Sequence, residues 1–118
     1  MNENTETSDR AQLETQMRKG MLVYCVLLLL KDGEVYTSEI IHALREAELI
    51  VVEGTLYPLL SRLAKDNLLA YKWQESEQGP PRKYYWLTDD GKKLLVDLKT
   101  TYHRLNASIK KLEKGKNK

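Results

Sequence analysis

Cys25 is the only cysteine among 118 residues, so neither an intrachain disulfide framework nor a thiolate cluster for zinc can form. It sits inside an apolar run, and a reducing, cytoplasmic setting is the expectation. Long hydrophobic runs are also missing. Met21 to Leu30 is apolar throughout, yet spans about half of what a bilayer crossing needs, and reads as a buried core helix without membrane contact. The N-terminus has no basic start and no small-residue cleavage site of the kind a signal peptide carries. It leans acidic instead, through Glu3, Glu6, Asp9 and Glu14. Catalytic apparatus is absent too: no phosphate-binding glycine loop, no paired metal ligands, and no nucleophile beside a base. His42 and His103 stand alone on different helices. The chain is therefore not expected to be an enzyme, nor to need a metal or cofactor.

Nor is there much charge of one sign. The formal net charge is +2, too small to imply a nucleic-acid partner by itself. Its distribution is more informative, with basic groups at Arg18 and Lys19, at Arg82 and Lys83, and at Lys110, Lys111, Lys114, Lys116 and Lys118. The terminal runs fit solvated tails as well as partner contacts. Hydrophobic residues make up 42% of the chain, enough for one modest core, and domains this small often gain stability by association.

Periodicity divides the chain into elements. Residues 1–9 are polar and aperiodic and read as a disordered acidic tail. From Arg10 to Leu30, Leu13, Met17, Met21, Tyr24, Leu27 and Leu28 recur three or four apart, which predicts a helix. Beyond Met21 that helix is apolar on nearly every side and must be covered on every side. Gly33 suits the turn that ends it. Thr37 or Ser38 is positioned to cap a second, short helix with Ile40, Ile41, Leu44 and Ala47 on one stripe. A third helix is predicted over Glu53 to Asp66, its buried stripe carried by Leu56, Leu59, Leu60 and Leu63. Pro58 falls past the first turn of a helix begun at Glu53, so the helix either starts later or bends there.

The opposite face of the third helix carries Gly54, Pro58, Ser61 and Lys65, flanked by Tyr57 and Arg62. Small residues, hydroxyls and cations suit close approach to phosphates and base edges; a plain solvated face is the alternative. Two β-rich runs follow, 69–74 and 83–87, joined by the turn-rich stretch 75–82, and predict a hairpin with an extended tip. Trp73, Tyr85 and Leu87 are expected to pack. A last helix is predicted from Asp89 to Lys114. Along it Leu95, Leu98, Tyr102, Leu105, Ile109 and Leu112 form a narrow a/d seam, which can pair with another subunit, with the chain's own first helix, or with both.

Three helices followed by a hairpin make a winged helix-turn-helix. The fold class is mainly α with a β-hairpin wing, over residues 10–88, plus a long C-terminal dimerisation helix over 89–114 and a basic tail at 115–118. In that arrangement the third helix enters the major groove of double-stranded DNA, and Arg82 and Lys83 beside the hairpin tip reach phosphates or the minor groove.

Two stretches carry a family resemblance. Glu53-Gly-Thr-Leu-Tyr-Pro-Leu-Leu-Ser-Arg-Leu63, and Gly79-Pro-Pro-Arg-Lys-Tyr-Tyr-Trp-Leu-Thr88 followed by Gly91, resemble the two signatures of the PadR-like transcriptional regulators. The likeness runs from about Met17 to Leu95, and the single long C-terminal helix is similar to the smaller subfamily of that group. It implies a homodimeric repressor, often of efflux or stress genes, acting on a palindromic operator. By position, it implies DNA contacts from Ser38, Thr55, Tyr57, Ser61, Arg62, Lys65, Arg82 and Lys83. It also implies a small aromatic or drug-like effector held between the first and last helices, by Tyr102 facing Met17, Met21 and Tyr24; Tyr102 lies on the seam as well, where packing alone would occupy it. Val52 departs from the family's usual Ser or Asn cap, a loss of about 1 kcal/mol, and Trp86 from its usual Arg. The rival reading is a winged-helix module for protein contacts without DNA binding, since fold alone does not fix function.

Overall fold

The computed structural model describes residues 3–49 and 53–116, with side chains from Asp9 onward and excluding that of Glu53. Helix α1 (Glu3–Leu29) is followed by a short strand β1 (Val35–Tyr36), α2 (Thr37–Glu46), a 3-10 turn (Glu53–Thr55) and α3 (Leu56–Lys65). Strands β2 (Leu69–Ser76) and β3 (Gly79–Leu87) form the hairpin, and α4 (Asp89–Lys114) ends the fold. The order bears out the mainly helical, winged architecture. Among the described residues no helix is long and apolar enough to cross a membrane.

Several boundaries differ from expectation. The first helix begins at Glu3 rather than Arg10, so the stretch expected to be disordered is helical from there on. No Gly or Pro interrupts residues 3–19, and helix propagates cheaply from a packed segment once nucleated. The third helix starts at Leu56, after the 3-10 turn. Pro58 thereby falls in its first turn, where the missing N–H has no intrahelical acceptor to lose. Val52, the departed cap position, lies outside the described residues, as do Met1, Asn2, Asn117 and Lys118. Neither Thr37 nor Ser38 caps α2: the cap residue is Tyr36 in extended backbone, with no side-chain cap bond. Thr37 is already helical and donates its hydroxyl to the Lys83 carbonyl at 3.0 Å.

β1 was not visible as a strand in the sequence. It pairs antiparallel with β3, Val35 opposite Tyr85 and Tyr36 opposite Tyr84, giving the order β1-β3-β2. The hairpin is also longer than its apolar alternation suggested. Both strands continue to Ser76 and Gly79, with a register shift between Gln74 and Ser76. Pro80 and Pro81 sit at that irregularity, between the Gln74–Arg82 and Ser76–Gly79 pairs and beyond the reach of β1, where a strand tolerates a missing N–H.

Leu22, Val26 and Leu27 of α1, with Leu30 just past its end, meet Ile40, Ile41 and Leu44 of α2, Leu56, Leu60 and Leu63 of α3, and Leu69, Tyr85 and Leu87 of the sheet in one core. Helices α2 and α3 both end in a Schellman turn. Leu49 N–H donates to the Leu44 carbonyl at 2.8 Å, and Leu68 N–H to the Leu63 carbonyl at 2.9 Å. The left-handed residues these turns require are Glu48 (φ 60°) and Asn67 (φ 63°), and the leucine after each packs against the core.

α4 runs from Asp89 to Lys114 as its periodicity indicated. Thr88 caps it by accepting from Gly91 N–H at 3.0 Å, and donates its own hydroxyl to the Asn67 carbonyl at 2.7 Å. Thr88 N–H donates to the Leu68 carbonyl at 3.2 Å, and Asn67 Nδ2 donates to Asp90 Oδ2 at 3.3 Å. The end of α3, the end of β3 and the start of α4 are thus tied into one junction.

Candidate nucleic-acid interface

The exposed face of α3 is bounded by three clefts. The largest of them, about 680 Å³, opens between α3, the start of α2 and the wing, and is lined by Ser38, Tyr57, Ser61, Arg82 and Lys83 together with Tyr36, Trp73 and Pro81. Five of the eight residues expected to touch DNA therefore share one concave surface. A smaller neighbouring cleft joins Ser61 and Lys65 to Tyr71 and Lys83. Thr55 and Arg62 are not part of either. They line a separate cleft on the other flank of α3, facing α1, with Lys19, Pro58 and Leu59.

Strand alternation explains the wing's chemistry. Leu69, Tyr71 and Trp73 project from one face of β2, and Lys83, Tyr85 and Leu87 from the same face of β3, since Trp73 opposes Lys83 and Tyr71 opposes Tyr85. Near α4 that face is core: Leu69 is 2% exposed and Leu87 5%. Toward the tip the sheet outruns the helices beneath it, and Trp73 is 62% exposed. Trp73 was expected to pack with Tyr85 and Leu87; only the latter two do.

What Trp73 does instead is flank a cation. Lys83 Nζ lies 4.1 Å from the ring centre of Tyr71, 5.2 Å from Tyr85 and 5.4 Å from Trp73. Arg82 lies 4.9 Å from the ring centre of Tyr36. Aromatic faces attract cations without neutralising them, so both side chains are held in place at the cleft while keeping full charge for a phosphate. Tyr36, Tyr71 and Trp73 escaped the sequence reading as site residues. For Tyr71 and Trp73 the signal was present, two aromatics on alternate positions of β2, but alternation alone cannot say where the core stops.

The residues expected to hold an effector or a second subunit lie elsewhere. Tyr24 and Tyr102 stack on each other across α1 and α4, centroids 5.6 Å apart and planes at 31°. Met21 is half-buried, whereas Met17 is 72% exposed. The α4 seam divides. Leu95 and Leu98 pack against this chain's own core, while Leu105, Ile109 and Leu112 are exposed.

A family model for the transcriptional regulator PadR-like family matches residues 26–97. No curated protein matches the chain. Among solved structures, a PadR-like transcription factor from Bacteroides fragilis is similar at 54% identity and a TM-score of 0.71, over 86% of this chain and 98% of that one. A PadR family regulator from Eggerthella lenta is similar at 29% identity and a TM-score of 0.83, over 95% and 98%. Bacillus subtilis PadR, solved in complex with operator DNA, is similar at 27% identity and a TM-score of 0.60, over 66% of this chain and 45% of that one.

Proposed function

Because the chain belongs to the PadR-like family of transcriptional regulators, we propose that it is a homodimeric repressor that lays α3 in the major groove of a palindromic operator and grips the backbone with its wing. The observation that carries this reading is the shared cleft, in which hydroxyls and a phenol of α2 and α3 face two aromatic-braced cations of β3. The operator complex of Bacillus subtilis PadR supports it by kinship. Arg82 and Lys83 contribute charge to the phosphates; Tyr57 and Ser61, on the exposed face of α3, are the candidates for reading base edges.

Two copies join through the exposed ends of α4 and α1, where Leu13, Met17, Leu105, Ile109 and Leu112 are apolar and uncovered in one chain. A small planar aromatic or drug-like molecule inserted between Tyr24 and Tyr102 acts as the effector that alters DNA affinity, and neighbouring efflux or stress genes are the regulated targets.

The test is fluorescence anisotropy with duplexes tiling the DNA upstream of the chain's own reading frame, at two salt concentrations and with competitor DNA. Specific binding is expected to weaken steeply with salt yet survive competitor. Binding that competitor abolishes entirely, or no binding at all, would favour a protein-contact module instead. A two-fold dimer further requires half-sites about 34–36 Å apart or a multiple of that.

A further inference from the structure

The cleft on the α1 flank of α3 has no role in the wing-centred reading. It is about 410 Å³, and its lining combines two cations from different helices, Lys19 of α1 and Arg62 of α3, with the Thr55 hydroxyl. No carboxylate is part of that lining. Lys19 and Arg62 are both exposed, and neither makes an ion pair among the described residues.

Helix geometry sets what this cleft faces. At about 100° per residue, Tyr57 and Arg62 stand ~140° apart around α3, so they mark the two edges of its exposed face. The Tyr57 edge borders the wing cleft and the Arg62 edge borders α1. A helix with its side chains is about 10–12 Å across, and the major groove is about 12 Å wide. A helix seated there therefore has a sugar-phosphate strand along each flank.

From this we propose that Lys19, with Arg62 and Thr55, forms a second phosphate clamp that grips the DNA strand opposite the one held by Arg82 and Lys83. The proposal rests on the DNA-binding reading above. It adds a contact from α1, and it divides the cations by strand: wing cations on one backbone, Lys19 and Arg62 on the other. Fixing both walls of the groove sets the depth and tilt of α3, which one-sided contact leaves free to rock.

The test compares Lys19→Gln and Lys83→Gln with the wild-type chain on the best-bound upstream duplex, with circular dichroism confirming equal folding. Each change is expected to weaken binding and to lower the slope of log K against log [salt] by about 1 per protomer, the loss of one phosphate contact. Phosphate-ethylation interference then assigns strands. Lys19→Gln is expected to erase interference on one strand of each half-site, and Lys83→Gln on the other. If Lys19→Gln leaves both slope and footprint unchanged while Lys83→Gln alters them, the second clamp is wrong and the DNA-binding reading stands. If both variants erase interference on the same strand, the division by strand is wrong. A wild-type chain that binds no duplex overturns both readings together.

Discussion

Gly91 stands in the first turn of α4, and substituting alanine there decides between two opposed effects. In an exposed helix the change stabilises, by up to about 1 kcal/mol. Here a Cβ on Gly91 would collide with the Leu68 carbonyl oxygen, with the Leu68 carbonyl carbon at 3.1 Å and a Leu87 methyl at 3.4 Å behind it. The obstacle is backbone, so relief requires α4 to lift away from the α3–β2 turn. That movement stretches the Thr88 N–H bond to Leu68 and the Thr88 hydroxyl bond to Asn67, each worth about 1 kcal/mol net. Overpacking at a tight site adds roughly 1–3 kcal/mol. Against the propensity gain, Gly91→Ala is expected to destabilise by about 2–4 kcal/mol. Urea unfolding at fixed protomer concentration, followed by circular dichroism, measures it; concentration is held because any association would add to apparent stability. An unchanged or raised midpoint with an unchanged slope would refute the close approach of α4 to Leu68.

Glu48 offers the converse case: Glu48→Gly relieves a left-handed residue with a side chain and is expected to stabilise by about 1 kcal/mol, read from the same unfolding curves. Leu105→Lys combined with Ile109→Lys places two charges on the uncovered face of α4, and light scattering is expected to report a dimer for the wild-type chain and a monomer for the variant. Burial pushes the Cys25 thiol above its ordinary value, so less thiolate is present at any given pH. Iodoacetamide is expected to label the folded chain more slowly than the urea-unfolded one, and equal rates would contradict the half-buried position. The stability contributed by the buried thiol is intact below the ordinary thiol pKa and fades as pH rises through the elevated one.

The four helices and the hairpin were legible because each has a periodic apolar pattern that local chemistry punctuates. α4 is the clearest instance, since its seam runs unbroken from Leu95 to Leu112. What escaped the sequence depends on neighbours. β1 is two residues long and owes its strand character to the β3 edge beside it. Thr37 is a plausible cap by composition, but the Lys83 carbonyl competes for its hydroxyl. Of the site, the cations and hydroxyls were legible by type. Their division between two flanks of α3, and the exposure of Trp73, are set by where the core ends.

The junction where α4 leaves the winged domain has a mechanical meaning. Four hydrogen bonds among Asn67, Leu68, Thr88, Asp90 and Gly91, with no room for even a methyl group, make that joint stiff. The 26-residue helix behaves as a lever about 39 Å long, and a tilt of ~10° at the joint moves its far end by roughly 7 Å, more than one helical turn. Whatever grips the free end of α4 therefore steers α3 through a rigid linkage, and a modest force at that end acts on the joint with the full leverage of the helix.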